Sequence, residues 1–260
     1  MGRGAGWGKN AVLGTGCGGC DVVRLLASGI LLSVGLGFGS VRCAAADLWG
    51  GSVGLTSDYL VRGISRSNNQ AALQLDVHYF DSSGFVAGVF ASNTQIDPND
   101  PKDVELDGFL GFVWTGSDDW QGRALISHYA YPWNYEGSSY DYTELDVDWS
   151  YRGWLNFAAA YSPDATRVAY HRLIGVASEA AEVSAQRPMV GKLSATAGLG
   201  YAYYGGPDAA GYAYWSVGAT YDLAPVSLAL SYVNTTAAAK ALFYNAAADN
   251  RWLGTIIWRF

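Results

Sequence analysis

Polar and apolar residues alternate along most of the chain with a period of two. In Leu73–Tyr79, Leu73, Leu75, Val77 and Tyr79 form one apolar face, and Gln74, Asp76 and His78 form the other. The stretch Tyr142–Tyr151 sets Thr143, Leu145, Val147, Trp149 and Tyr151 against Glu144, Asp146, Asp148 and Ser150. Successive side chains of a strand point to opposite faces, whereas a helix would smear both sets around its surface. The pattern predicts an all-β chain of about twelve strands. They lie near 49–61, 71–80, 85–92, 104–115, 120–131, 142–151, 154–161, 167–176, 191–204, 212–222, 226–233 and 251–260. Alternation is weakest over 165–190, which is open to loop or helix.

The connections also alternate. Short turns fall at 81–84, 116–119, 152–153 and 224–225, and longer polar segments at 62–70, 93–103, 132–141, 205–211 and 234–250. An antiparallel up-and-down transmembrane barrel has this rhythm, with tight turns on the periplasmic side and long loops outside. The rhythm falters at a short connection before the eighth strand and a long one at 177–190. On the last strand Trp252, Gly254, Ile256, Trp258 and Phe260 share one face, and Arg251, Thr255 and Arg259 share the other. A final strand ending in Phe, with Trp252, Ile256 and Trp258 at alternate positions, is the expected C-terminal signal for the outer-membrane barrel assembly machinery.

The N-terminus follows different rules. Arg3, Lys9 and Arg24 lead into the apolar run Leu25–Val34, and Ala44-Ala45-Ala46 precede Asp47. This is the order of a cleaved secretory signal peptide, so residues 1–46 are expected to be a leader and 47–260 the barrel domain. A start near Val22 would shorten the long basic region. Arg42 disfavours a lipid anchor on Cys43. All three cysteines (Cys17, Cys20, Cys43) lie in the leader, so Cys17-x-x-Cys20 carries little weight as a redox or metal motif.

Composition narrows the function classes. The 260 residues include 33 Gly, 18 Tyr and 10 Trp but only 15 % charged residues. No stretch of the body reaches the roughly 18 apolar residues of a spanning helix. Of 16 basic and 23 acidic residues, the leader holds four basic and one acidic, leaving 12 and 22 and a net charge of −10. That balance argues against nucleic acid as a partner, and no phosphate-binding loop is present. With only His78, His128 and His171 and no cysteine in the body, no metal or other cofactor is expected. A secreted soluble β-sandwich shares this composition. The orientation of the Leu73/Leu75/Val77/Tyr79 face, toward lipid or toward a core, separates the two. The aromatics Trp49, Tyr59, Trp114, Tyr131, Trp133, Trp149, Tyr161 and Trp258 fall near strand ends, where barrels carry interfacial girdles.

Several motifs carry a family resemblance. Ser57-Asp58-Tyr59-Leu60-Val61-Arg62-Gly63-Ile64-Ser65 follows an S-D-Y-x-x-R-G-x-S pattern. Gly88–Asn93, Glu105–Asp107, Tyr129–Pro132, Asp141–Leu145 and Ala160–Asp164 follow in order. Together they resemble the TorF-type porin family of proteobacterial outer-membrane proteins, over most of the chain beyond the leader. The resemblance implies an outer-membrane pore for small solutes or ions, and it carries no catalytic or ligand residues to transfer.

With the apolar faces toward lipid, the opposite faces line the lumen. The candidate lining residues are Asp58, Arg62, Asp76, His78, Glu105, Asp107, Glu144, Asp146, Asp148 and Arg251, with Gln74, Asn156 and Lys192 beside them. Acids predominate, which implies a mild cation preference. These groups can equally neutralise one another in a polar plug, since small barrels are filled by their own side chains. Asp58 and Arg62, read on one strand about 13 Å apart, suit a constriction or, more simply, ion pairs under the first outer loop. A lipid hydrolase is the competing class. Ser127 and His128 would face opposite ways, no G-x-S-x-G elbow exists, and His78 would need a serine across strands. The acidic ladder of β-positions 144, 146 and 148 could serve glycoside chemistry or calcium, and the turn-rich 97–103 could hold calcium. A solvated ladder and an ordinary loop explain both.

Overall fold

The computed structural model describes residues 48–96, 102–117, 119–133, 140–169, 172–207, 209–243 and 245–260. The expected leader and most of the acidic stretch 97–103 lie outside the described residues. The elements are β1 (Leu48–Thr56), β2 (Leu60–Val61), β3 (Ile64–Ser65), β4 (Ala72–Phe80), β5 (Phe85–Thr94), β6 (Asp103–Ser117), β7 (Trp120–Ala130), β8 (Tyr142–Tyr151), β9 (Leu155–Ala169), β10 (Arg172–Val190), β11 (Leu193–Tyr204), β12 (Ala210–Leu223), β13 (Val226–Thr235), α1 (Ala237–Leu242) and β14 (Arg251–Arg259), with a 3-10 turn at Asn245–Ala248.

β1 and β4 to β14 form one closed antiparallel barrel of twelve strands, and β2 and β3 form a separate two-stranded hairpin. The barrel closes where β1 pairs with β14, from Ser52 opposite Arg259 to Thr56 opposite Thr255. Gly51 and Phe260 exchange backbone hydrogen bonds of 3.0 Å each way and lock the first strand to the end of the last. Closure leaves no barrel strand with an unpaired edge, which is the condition for a sheet in lipid.

The alternation in the sequence becomes an inside-out barrel. On β4, Leu73 is 59 % exposed and its neighbour Gln74 only 1 %. Leu106 and Leu110 on β6, Leu145 and Trp149 on β8, and Leu228 and Leu230 on β13 are likewise exposed, while the residues between them turn inward. A continuous apolar exterior of this size is unstable in water and suited to hydrocarbon. The apolar faces therefore point outward, which rules out the sandwich reading, and the fold is a transmembrane β-barrel. Strands of 9 to 19 residues meet the need for about 9–11 residues per tilted crossing.

Three expectations on element placement are corrected. The first strand ends at Thr56 rather than 61, and the chain then enters the β2–β3 hairpin. The eighth and ninth strands were expected at 167–176 and 191–204, with 177–190 as a connection. Instead β9 runs to Ala169, β10 covers 172–190, and the inner turn is at Gly191–Lys192. Val176 and Ser178 of β10 pair with Ala165 and Ser162 of β9, so the extra β9 residue between them reverses the phase of alternation on that strand. Beyond it the inward residues (Ser178, Ala180, Glu182, Ser184) alternate with small outward ones (Ala181, Ala185), so the apolar contrast is faint. Finally, 234–250 is no plain loop. α1 and the 3-10 turn pack with Ile64, Ala165, Val176, Tyr204, Tyr212 and Tyr214 into an apolar cluster at the outer end.

Candidate functional site

The barrel interior holds a network of buried charges, and its centrepiece is the segment between β1 and β4. Arg62 (φ 52°) and Gly63 (φ 79°) both take left-handed backbone conformations, so the chain reverses between β2 and β3. Glycine is required at 63 for a second reason: a Cβ there would lie 2.7 Å from Thr235 Cγ2 and 3.2 Å from Tyr214 Cβ. The hairpin thus rests on the inner wall. Leu60 packs with Val233 and Leu253, Tyr59 with Phe90 and Ile257, and Ile64 with the cluster under α1. Polar tethers reach the rest of the wall. The Tyr59 hydroxyl donates to Glu105 Oε1, and Arg62 Nη2 lies 2.8 Å from Glu144 Oε1. The segment therefore crosses the interior from β14 to β8.

Asp58 anchors its base. Its Oδ1 accepts the Ser65 and Ser67 hydroxyls at 2.6 and 2.8 Å, and its Oδ2 pairs with Arg251 Nη1. Arg251 also donates to Asn69 Oδ1 and, through Nη2, to the carbonyls of Ala246 (2.7 Å), Ala247 (3.1 Å) and Asp249 (2.8 Å). One guanidinium thereby ties the hairpin to the outer connection before β14. Asp58 and Arg62 do not share a strand, which corrects the sequence expectation: Asp58 follows the end of β1 and Arg62 lies in the turn between β2 and β3. Each instead pairs with a residue of another strand, which matches the ion-pair alternative.

The other interior charges are mostly paired. Glu105, 1 % exposed, accepts the Tyr59 hydroxyl on Oε1 and the Tyr131 hydroxyl on Oε2. His78 Nδ1 is 2.7 Å from Asp76 Oδ1. Arg123 binds Asp148 Oδ2 through Nε (3.0 Å) and Nη2 (2.6 Å). Asp107 and Asp146 differ. Both point inward, but among the described residues neither has a hydrogen bond or ion pair, and both carboxylate oxygens of Asp107 are buried without a partner. Other buried polar atoms share that condition, among them Ser52 Oγ, both amide atoms of Gln74, Arg123 Nη1 and Asn156 Oδ1. Buried polar groups are costly unless something hydrogen-bonds them.

Not every expected position holds. Lys192 sits exposed in the β10–β11 turn and is no interior residue. Tyr59 and Tyr131, expected in an exterior girdle, are each 1 % exposed and bind Glu105 inside. Trp49, Trp114, Trp133, Trp149, Tyr161 and Trp258 do lie on the exterior. Ser127 is buried and His128 exposed on opposite faces of β7, with His128 Nδ1 3.1 Å from Thr143 Oγ1. His78 meets a carboxylate rather than a serine. On β14, Trp252, Ile256, Trp258 and Phe260 are exposed, while Leu253 and Ile257 are buried. Sequence reasoning missed Arg66 and the inward tyrosines Tyr129, Tyr142, Tyr204, Tyr212 and Tyr214. Those on strands were legible from parity alone, since each shares a face with an inward polar neighbour.

Comparison with known proteins places this geometry. The fold is similar to that of the NanC porin, at 12 % identity over 82 % of this chain and 98 % of that one, with a TM-score of 0.51. It is also similar to the COG4313 outer membrane channel from Pseudomonas putida F1, at 10 % identity over 84 % and 96 % of the two chains, with a TM-score of 0.51. At such identities the likeness is one of fold. No curated protein matches the chain. One family model does, over residues 44–258, a span that takes in all the barrel strands but the last residue of β14. The chain therefore belongs to the family described as bacterial protein of unknown function (Gcw_chp).

Proposed function

We infer that this protein is an outer-membrane porin that passes small hydrophilic solutes or ions by diffusion, with a mild preference for cations. One observation carries the reading: a lipid-facing wall encloses an interior in which several charged and amide groups, Gln74 and Asp107 foremost, lack protein partners among the described residues. Such polar groups suit the interior of a channel better than the dry core of a soluble fold. Acids outnumber bases among the candidate lining residues, so the field in the lumen favours cations. The motif resemblance to TorF-type porins supports the same reading. On this proposal residues 1–46 are removed after Ala46 during export. Trp252, Ile256, Trp258 and Phe260 are then read by the assembly machinery, and no cofactor is needed.

A second reading has its own support. The β2–β3 hairpin fills part of the interior so well that Tyr59, Leu60 and Glu105 are each 1 % exposed. A barrel plugged in this way would serve as a structural or surface-binding protein through its outer connections. The two readings part in a planar bilayer under a salt gradient, using barrel purified from membranes of cells expressing the full chain. The porin reading expects discrete conductance steps and a reversal potential of cation-selective sign. An anion-selective sign would remove the role given to the acids. Absence of steps from folded, inserted protein would favour the plug.

A further inference from the structure

Two arginines stand over aromatic rings on the outside of the barrel, at the end that carries the short turns. In the β8–β9 turn the Arg152 guanidinium is 5.2 Å from the centre of the Tyr151 ring. On β10 the Arg187 guanidinium is 3.7 Å from the centre of the Trp154 ring. The register fixes the height of the second stack. Ala185 pairs with Leu155, the first residue of β9, and the Gln186 backbone N–H donates to the Trp154 carbonyl at 2.8 Å. Arg187 has the outward parity of Ala181, Val183 and Ala185 and is the next outward residue after them. It therefore sits where the apolar wall of β10 ends. The two stacks differ in what their N–H groups bind. Arg152 donates through Nε and Nη2 to the two carboxylate oxygens of Asp119, at 3.0 and 3.2 Å. Arg187 is exposed and has no carboxylate or other acceptor among the described residues. Asp222, beside the same turn through its backbone bond to Lys192, has inward parity and accepts the Ser227 hydroxyl. Lys192 itself is exposed in that turn and has no carboxylate partner among the described residues.

We propose that Arg187, held against Trp154, is the phosphate-binding group of a site for an anionic phospholipid on the rim of the barrel, with Lys192 adding positive charge. A guanidinium stacked on a ring keeps its N–H edge free, and that edge matches two oxygens of a phosphate. The stack also fixes the side chain in advance, so less freedom is lost when the phosphate binds. Charge points to an anion. The chain has seven more acids than bases, yet none of the described acids is set against this arginine. Position points to a lipid. The headgroup layer begins where the apolar wall stops, and Trp rings favour that boundary. Met189 and Val190, exposed between the two cations, offer apolar surface to the glycerol and the first carbons of the chains. Under the outer-membrane reading the short turns face the periplasm, so the lipid belongs to the inner leaflet. The site itself needs only a membrane barrel and holds whether or not that barrel conducts.

Native mass spectrometry of the barrel, purified in a non-ionic detergent from cells expressing the full chain, tests the site. The protein is titrated with phosphatidylglycerol and, separately, with phosphatidylcholine of the same acyl chains. The wild type should retain phosphatidylglycerol more strongly. Arg187→Gln should weaken that retention by about fivefold, the scale of one charge-assisted contact at a partly exposed site. Arg187→Lys, which keeps the charge and loses the planar edge, should fall between the two. Arg152→Gln should leave retention unchanged, because the Arg152 guanidinium is already taken by Asp119. Heat-modified gel mobility shows that each variant is folded. Equal retention of phosphatidylglycerol by wild type and Arg187→Gln would overturn the proposal. So would equal losses in Arg152→Gln and Arg187→Gln, which would mark an effect of net charge alone. An excess of inorganic phosphate should leave the lipid in place, and its displacement by phosphate would overturn a lipid as the ligand.

Discussion

Glu105 shows how a single carboxylate is made tolerable inside the barrel. It takes one tyrosine hydroxyl on each oxygen, Tyr59 from the hairpin and Tyr131 from the connection after β7. Removing one donor leaves a buried acceptor short, at a cost of about 1–3 kcal/mol. Tyr131→Phe is therefore expected to lower the thermal unfolding midpoint followed by circular dichroism in detergent, with the barrel still able to form. Asp81, in the turn between β4 and β5, is a contrasting exposed case. Its carboxylate accepts the Ser83 hydroxyl at 2.5 Å and the Ser83 and Phe85 backbone N–H groups at 2.8 and 3.2 Å. The Ser83 hydroxyl, followed by these backbone groups, holds the carboxyl below its ordinary range. A lowered pKa stabilises the fold above the unfolded value, and that contribution is lost as pH falls through the folded one. Asp81→Ala should thus be less stable than wild type at neutral pH. The gap should close as the solution is acidified below about pH 4, and a gap independent of pH would refute this role. Parity along the strands made the inward carboxylates legible. The partners were not, because Tyr59 and Tyr131 lie in connections, where no period fixes the direction of a side chain.

The hairpin is the element that separates this barrel from a bare cylinder. Every conspicuous residue of Ser57–Ser65 has a structural task within it. Asp58 receives Ser65 and Arg251, Tyr59 reaches Glu105, and Arg62 and Gly63 make the reversal. The motif was visible in sequence, yet it was read as the end of a strand, because nothing in a local pattern says that a chain folds back into its own barrel. Arg62 and Glu144 form the cross-lumen tie. Removing either partner strands a largely buried charge, at a cost of about 3 kcal/mol, whereas removing both strands none. Arg62→Ala and Glu144→Gln should each destabilise the barrel, and the double variant should cost less than the sum of the two. Additive losses in urea unfolding would show that the pair is not coupled. The β9–β10 extension was the least legible element, and for a local reason: one register shift at Val176–Ser178 and a run of small residues hide the alternation that exposed every other strand.

At the scale of the molecule, period-two patterning, loop rhythm and the aromatic final strand were enough to specify a closed barrel of twelve strands. They could not specify how full it is. Twelve strands lie between barrels packed by their own side chains and the wide water-filled porins, so the interior hairpin decides how much room remains. The account holds that solute passes beside this hairpin. That makes the hairpin the constriction, and a chain in which Leu60–Ser65 is replaced by a short Gly-Ser link should be a wider channel in the same fold. The most direct measurement is single-channel conductance of the two barrels side by side in one bilayer system, with circular dichroism and heat-modified gel mobility showing that both are folded. The account predicts discrete steps from the wild type and larger steps from the shortened chain, with weaker ion selectivity. Steps of equal size would place the path away from the hairpin, and silence from both folded barrels would contradict the channel itself.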